Sequence, residues 1–276
     1  MIHGDIGVRE VRDSEVVFYK QNGWVKLEGL ISNELAGDLL ARAHQRMGDS
    51  GAAHKLRPGR DLVNNTAWQD YHNIAEEDEV FGALAFGKVM GRNAQRLMAR
   101  DVPVRAYSNL LAVKLGTKQG TTTHGTAKTD FHQDFCSVPL DRVGFLTFWI
   151  ALDEVTPEMG AMRFYTGSHR LGSLGRIKWF EGREMIDVYP ELGSECPLSP
   201  SLHYRPGDAT VHHSLVVHGA PQNQTNRPRW PFIVSYFPAD TKYTGGSSGS
   251  EAHQDDEHAL RVGEPYSGPR FPQVCP

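Results

Sequence analysis

His132 and Asp134, two residues apart, and His218, far downstream, are the side chains of this sequence best suited to chemistry. Two imidazoles and one carboxylate make a facial ligand set for non-haem Fe(II), with three coordination positions left open for other ligands. The spacing has a mechanical basis. On an extended chain, residues two apart project from the same face, so His132 and Asp134 reach one ion while Gln133 points away. His218 closes a β-branched and apolar run over residues 207–219, which starts from the turn Pro206-Gly207-Asp208 and is expected to form one continuous strand. After a polar turn at 222–228, residues 229–237 read as a second strand that pairs with the first as a hairpin. Arg229 would then lie near the metal end of that pair, where its planar fork of donors suits a bidentate grip on a dicarboxylate.

Other residues compete for these roles. His212 and His213 are rivals of His218 for the third ligand position, and because they alternate in facing, one of them would line the site. A second His-Gln-Asp, His253-Gln254-Asp255, shows that the tripeptide alone proves little; it sits among Gly, Ser and acidic residues with no strand to fix its geometry. His124, in a Thr-rich loop, reads as a surface histidine. Gln133 reads as a solvent or packing residue, and Cys136 as a buried, inert thiol.

His132-Gln133-Asp134, Gly167-Ser168-His169, Gly207-Asp208, His218-Gly219, Asn223 and Arg229, in that order, resemble the pattern of the phytanoyl-CoA dioxygenase family of Fe(II)/2-oxoglutarate oxygenases. Residues 18–30, with Asn22-Gly23-Trp24-Val25 and Gly29-Leu30, resemble that family's opening helix and strand, so the likeness covers about residues 14–240. The resemblance implies a mainly β fold with flanking helices on a double-stranded β-helix (jelly-roll, cupin-like) core. It also implies Fe(II) held by His132, Asp134 and His218, and 2-oxoglutarate anchored through its distal carboxylate by Arg229. Trp149, on a strand over 144–152, falls where the family places an aromatic wall beside the cosubstrate. Lys114 is a candidate to neutralise the other carboxylate of 2-oxoglutarate, with an ordinary edge-strand lysine as the alternative.

The reaction implied by the resemblance consumes O2 and 2-oxoglutarate and oxidises a C–H bond of a small organic substrate. It releases succinate and carbon dioxide, with ascorbate as the expected activator in vitro. Hydroxylation, desaturation, epoxidation and ring formation all belong to this class. Related halogenases carry Gly or Ala in place of the carboxylate ligand, so Asp134 implies oxygenation instead. The basic residues are scattered and form no CoA-phosphate site. Members of the family outside lipid metabolism tailor natural products, so the resemblance implies a natural-product intermediate as substrate. Two other readings stay open: a non-catalytic jelly-roll that binds a ligand or a structural Zn(II), and a cupin-type metalloenzyme that does not use 2-oxoglutarate. The intact set of His132, Asp134 and His218 together with Arg229 weighs against the first. Arg229 and the small number of histidine ligands weigh against the second.

These residues need a scaffold, and the chain supplies one. A length of 276 residues with 39% hydrophobic content suits one domain with a substantial core. The first third, about residues 13–100, reads as helical: one helix begins at Asp13 or Ser14 and stops at Gly23, a second is capped by Ser32, and a third spans about 79–98. The β core is expected over about 104–238, followed by a loop-rich tail at 240–276 that reads as flexible. Residues 48–74 form a polar stretch longer than a connection needs, a candidate lid over the substrate. A net charge of -4 gives no basic footprint for nucleic acid. No apolar stretch is long enough for a membrane span, and residues 1–13 are too polar for a secretory signal. Three widely separated cysteines, Cys136, Cys196 and Cys275, suggest a reducing, cytoplasmic setting. The expected partner is a small-molecule substrate; composition leaves the oligomeric state open.

Overall fold

The computed structural model describes residues 7–51, 68–116, 128–175, 183–246 and 259–276. The expected lid at 48–74 lies largely outside these residues, as do His124 and the second His-Gln-Asp at 253–255.

The chain opens with α1 (Asp13–Asn22), β1 (Trp24–Leu27) and α2 (Asn33–Met47). Arg12, not Asp13 or Ser14, precedes the first turn of α1, whose Glu15 side chain closes a capping box; Gly23 ends it in a left-handed conformation. Ser32 caps α2 through a hydrogen bond from the Leu35 amide to its hydroxyl. Then come β2 (Trp68–His72), α3 (Ile74–Glu77), α4 (Glu79–Ala85) and α5 (Lys88–Met98). The single helix expected over 79–98 is thus two, because the chain leaves helical geometry at Phe86 and restarts from Gly87. A Cβ on Gly87 would lie 2.5 Å from the Ala83 carbonyl oxygen, so only glycine allows this close re-entry.

The β core follows as β3 (Val104–Lys114), β4 (Thr129–His132), β5 (Leu146–Ala151), β6 (Arg163–Phe164), the short helices α6 (Met185–Val188) and α7 (Glu191–Glu195), then β7 (Ala209–His213), β8 (His218–Ala220), β9 (Pro231–Pro238) and β10 (Gln273–Cys275). It is organised as two antiparallel sheets. The larger has the order β1-β7-β5-β9-β3-β10, with β2 also paired to β3; the smaller has the order β4-β8-β6. Helices cover the outer face of the large sheet, and the space between the sheets holds the site.

Strict alternation divides the large sheet between these jobs. Leu146, Phe148 and Ile150 of β5, Val211 of β7, and Phe232, Val234 and Tyr236 of β9 join the core shared with α2, α4 and α5. The residues between them, Thr147, Trp149, His212, Ile233 and Ser235, line a cavity on the opposite face. Because both faces of β5 are covered, all six of its residues are buried.

Three expectations about this region are corrected. The run 207–219 is two strands, since the chain turns after His213 and β8 joins the other sheet. The turn is tied down by Ser214, whose amide donates to Phe145 and whose carbonyl accepts from Phe135, at 3.0 Å each. The hairpin expected with 229–237 does not form either: β5 lies between β7 and β9. Finally, the end of the chain is not a free tail. β10 pairs with the start of β3, and Tyr266 and Phe271 are buried against Tyr107 and Phe237.

Candidate active site

Pairing of β4 with β8 places His132 directly opposite His218. β4 ends at His132, so Asp134 does not lie on the strand; it opens a 3-10 turn, Asp134–Ser137. The intervening Gln133 keeps an extended backbone (φ -114°, ψ 131°), which preserves the same-face relation of its two neighbours. Gln133 itself points the other way and is buried, donating to the carbonyls of Gly172 (2.8 Å) and Leu215 (2.7 Å) and accepting from the Leu174 amide at 2.7 Å. Its role is to pin the turn. Cys136 is half-buried, not fully buried as expected, with its sulfur 3.3 Å from the Ser173 hydroxyl.

One ligand-capable atom from each of His132, Asp134 and His218 lies within 4.8 Å of the other two. Nε2 of His132 is 3.5 Å, and Nε2 of His218 3.6 Å, from Oδ1 of Asp134. The opposite ring nitrogens face backbone carbonyls, His132 Nδ1 with Asp130 at 2.8 Å and His218 Nδ1 with Val216 at 3.1 Å. A carbonyl only accepts, so each Nδ1 carries the proton and each Nε2 presents a lone pair to the cluster. Backbone geometry therefore selects the tautomer that a metal ligand needs.

The charges agree. Burial works to raise the Asp134 pKa, but the neighbouring imidazoles of His218, His132 and His212 hold it well below the usual carboxylate range. Burial, together with the charges of His212 and His132, holds His218 well below the ordinary imidazole value. For His132 burial acts downward and is outweighed by Asp134, which raises it. A cation at these three atoms would compete with that proton, as metals do at imidazole sites.

The cluster opens on a cavity of about 340 Å³, which Trp149 and Arg229 also line. Arg229 is buried, and its guanidinium carbon lies 5.2 Å from the centre of the Trp149 ring. One of its nitrogens donates to the Gly160 carbonyl. Burial lowers its pKa to about 10, partly offset by Tyr204, which leaves it charged at neutral pH. Lys114 bridges to Arg229 through a mutual pair of backbone hydrogen bonds, 2.9 and 3.2 Å, and pairs with β2 on its other side. It is thus an interior residue, which corrects the edge-strand alternative. Its Nζ donates to the carbonyls of Ala220 (3.2 Å) and Pro221 (2.8 Å), and burial followed by the Arg229 charge lowers its pKa to about 6. The remaining wall is mostly apolar, including Leu110, Val138, Phe145, Met162 and the Tyr107 ring.

Of the two rival histidines, His213 points away from the cluster. Its Nδ1 accepts from the Leu215 amide at 3.0 Å, and its ring centre lies 5.6 Å from that of His169. His212 faces the site without joining the three-residue cluster: its Nε2 is 3.0 Å from the other Asp134 oxygen, Oδ2. Thr147 reaches that same oxygen, also at 3.0 Å. Thr147 and Ser235 carry no sequence signal for this role; His212 does only through its alternation with His213.

Two antiparallel sheets around a cavity lined by a His-Asp-His cluster and a buried arginine define the class of jelly-roll iron- and 2-oxoglutarate-dependent oxygenases. Within that class the chain belongs to the phytanoyl-CoA dioxygenase (PhyH) family, whose model matches residues 19–230. It is 30% identical over 118 residues to a probable alpha-ketoglutarate-dependent hypophosphite dioxygenase of Stutzerimonas stutzeri, a match that spans 41% of this chain and 41% of that protein. Among solved structures it is similar to the non-heme alpha ketoglutarate dependent carbocyclase SnoK from nogalamycin biosynthesis, with a TM-score of 0.77, 25% identity and 96% of each chain covered. It is also similar to the epimerase SnoN in complex with Fe3+, alpha ketoglutarate and nogalamycin RO, with a TM-score of 0.73, 25% identity, and 95% of this chain and 98% of that one covered. Alpha-ketoglutarate is 2-oxoglutarate. Among the described residues no helix is long and apolar enough to cross a membrane.

Proposed function

We propose that this protein oxidises a C–H bond of a small organic substrate, with Fe(II) held by His132, Asp134 and His218 and 2-oxoglutarate anchored by Arg229. The single observation that carries the reading is the convergence of Nε2 of His132, Nε2 of His218 and Oδ1 of Asp134, with both Nδ1 protons already committed to backbone carbonyls. When bound, the iron supplies oxygen activation coupled to decarboxylation of 2-oxoglutarate. The remaining work belongs to the chain. Arg229, stacked over Trp149, offers a fixed fork to the distal carboxylate. Lys114, the candidate for the other carboxylate, is not among the residues that line the cavity, and its Nζ is turned to the Ala220 and Pro221 carbonyls. Apolar walls exclude water and hold the substrate against the cluster.

Asp134 supports oxygenation over halogenation, because its carboxylate occupies the position that halogenases leave empty. A natural-product intermediate is the substrate class we favour: the walls are largely apolar, and SnoK and SnoN, to which the chain is similar, are from nogalamycin biosynthesis.

The test is conversion of 2-oxoglutarate to succinate on addition of Fe(II), ascorbate and air. Succinate is expected from the unaltered protein and none from His132→Ala or His218→Ala, which should also fail to retain iron. Arg229→Ala should retain iron but need on the order of a hundredfold or more 2-oxoglutarate, since removing one partner of a buried ion pair costs about 3–5 kcal/mol. Undiminished turnover in either histidine variant would overturn the ligand assignment.

A further inference from the structure

Asp134 has two oxygens in different surroundings. Oδ1 lies beside the imidazole nitrogens of His132 and His218. Oδ2 is turned into the protein, where it accepts from His212 Nε2 and from the Thr147 hydroxyl, each at 3.0 Å. Because Thr147 spends its proton on Asp134, the hydroxyl of Ser235, 3.0 Å away, donates to Thr147 in turn. His212, Thr147 and Ser235 come from β7, β5 and β9, and all three are buried. Among the described residues Nδ1 of His212 is buried and has no partner, so the ring keeps its proton on Nε2, aimed at the carboxylate. Charge-assisted bonds of this kind, in a site with little water, fix orientation strongly.

We propose that His212, seconded by Thr147, is a positioning residue that captures Oδ2 of Asp134 and so restricts this carboxylate to single-oxygen ligation through Oδ1. A carboxylate free to swing could ligate with both oxygens and take a coordination position that 2-oxoglutarate or oxygen requires. With Oδ2 engaged twice, that rotation is blocked and three positions stay open. This rests on the reading of His132, Asp134 and His218 as ligands. The pleat makes it specific to one of two adjacent histidines, since His213 faces His169 instead.

The experiment compares His212→Phe, which keeps a ring but has no donor, His212→Gln, which restores an N–H, and the near-isosteric Thr147→Val. Dissociation constants for Fe(II) and Co(II) are measured by anaerobic equilibrium dialysis, and the absorption spectrum of the Co(II) form reports ligand geometry. His212→Phe is expected to weaken metal binding about 10–100-fold, the usual effect of removing such a partner, and to shift the Co(II) spectrum. His212→Gln should recover affinity to within a few-fold, and Thr147→Val should weaken it in the same direction. Wild-type affinity and spectrum in His212→Phe would overturn the proposal, as would equal losses in His212→Phe and His212→Gln, which would mark a packing role. Should His212→Phe not fold, unchanged metal binding in Thr147→Val overturns it equally. His132→Ala and His218→Ala run alongside. If they retain metal, the ligand reading beneath has failed; if they lose it while His212→Phe does not, the proposal alone has failed.

Discussion

A buried ammonium is costly unless its surroundings compensate, and Lys114 shows the balance in one side chain. Two carbonyls accept its protons, while burial and the adjacent Arg229 lower its pKa to about 6 from the ordinary 10.5. The unfolded chain therefore binds this proton more tightly. Below pH 6 both states are charged and the destabilisation is complete; as pH rises from 6 towards 10.5 it is progressively relieved, so stability climbs with pH across that window. The slope from one group is at most about 1.4 kcal/mol per pH unit. Lys114→Met should flatten the rise in unfolding free energy between about pH 6 and pH 9, measured by urea denaturation against the unaltered protein; parallel profiles would contradict this. The sequence carried the ligand-type residues through their kinds and spacing, because His-x-Asp and the distant His-Gly are local features. It did not carry Lys114 as an interior residue. A lysine late in a strand looks the same in the sequence whether its neighbours are solvent or two further strands. Nor could Thr147 and Ser235 be read, since their link to Asp134 spans three elements.

At the level of elements, the geometry of the His-Asp-His cluster depends on how closely β4 and β8 approach. Gly219 sets that distance: a Cβ there would lie 2.8 Å from the Thr129 carbonyl oxygen and 3.1 Å from Phe131 Cα. Both are backbone atoms that cannot swing aside. Gly219→Ala should force the strands apart, cost about 1–3 kcal/mol in stability, and weaken iron retention, because His132 and His218 are register partners across that pair. Thermal unfolding together with metal content of the purified variant checks both effects; unchanged values would mean that the strands tolerate the methyl group. Element positions were legible where local chemistry marks them, as at Ser32 and Gly23. The break between β7 and β8 was not. Val216 and Val217 have strong β propensity, and the turn there depends on partners distant in sequence, Phe145 and Phe135 at Ser214 and Gln133 at the Leu215 carbonyl, as well as on the local bond from Val216 to the His213 carbonyl.

At the level of the whole molecule, the C-terminal residues complete the fold. Phe271 is 1% exposed, with ring centres of Tyr266, Tyr107 and Phe237 at 5.0, 5.9 and 6.2 Å. Tyr107 and its neighbour Phe145 also line the cavity, so the last segment braces the substrate wall from behind. Phe271→Ala should cost about 3–5 kcal/mol, the range for truncating a buried phenylalanine, read as a shift in the urea midpoint at constant slope. A loss below about 1 kcal/mol, within the range of ordinary surface substitutions, would show that this segment does not brace the core. The jelly-roll itself was implied by the family resemblance that the order of the motifs carries. The return of β10 to the start of β3 was not, because a three-residue strand after a Gly-, Ser- and Pro-rich stretch has no local signal and gains its order from a partner far back in the sequence.

The most direct test of the central claim follows one atom. The protein, loaded with Fe(II) and given 2-oxoglutarate under heavy-oxygen gas, should release succinate carrying one heavy oxygen atom, and His218→Ala should release none. Succinate that forms without the label, or forms equally in the His218→Ala variant, would contradict oxygen activation at this cluster.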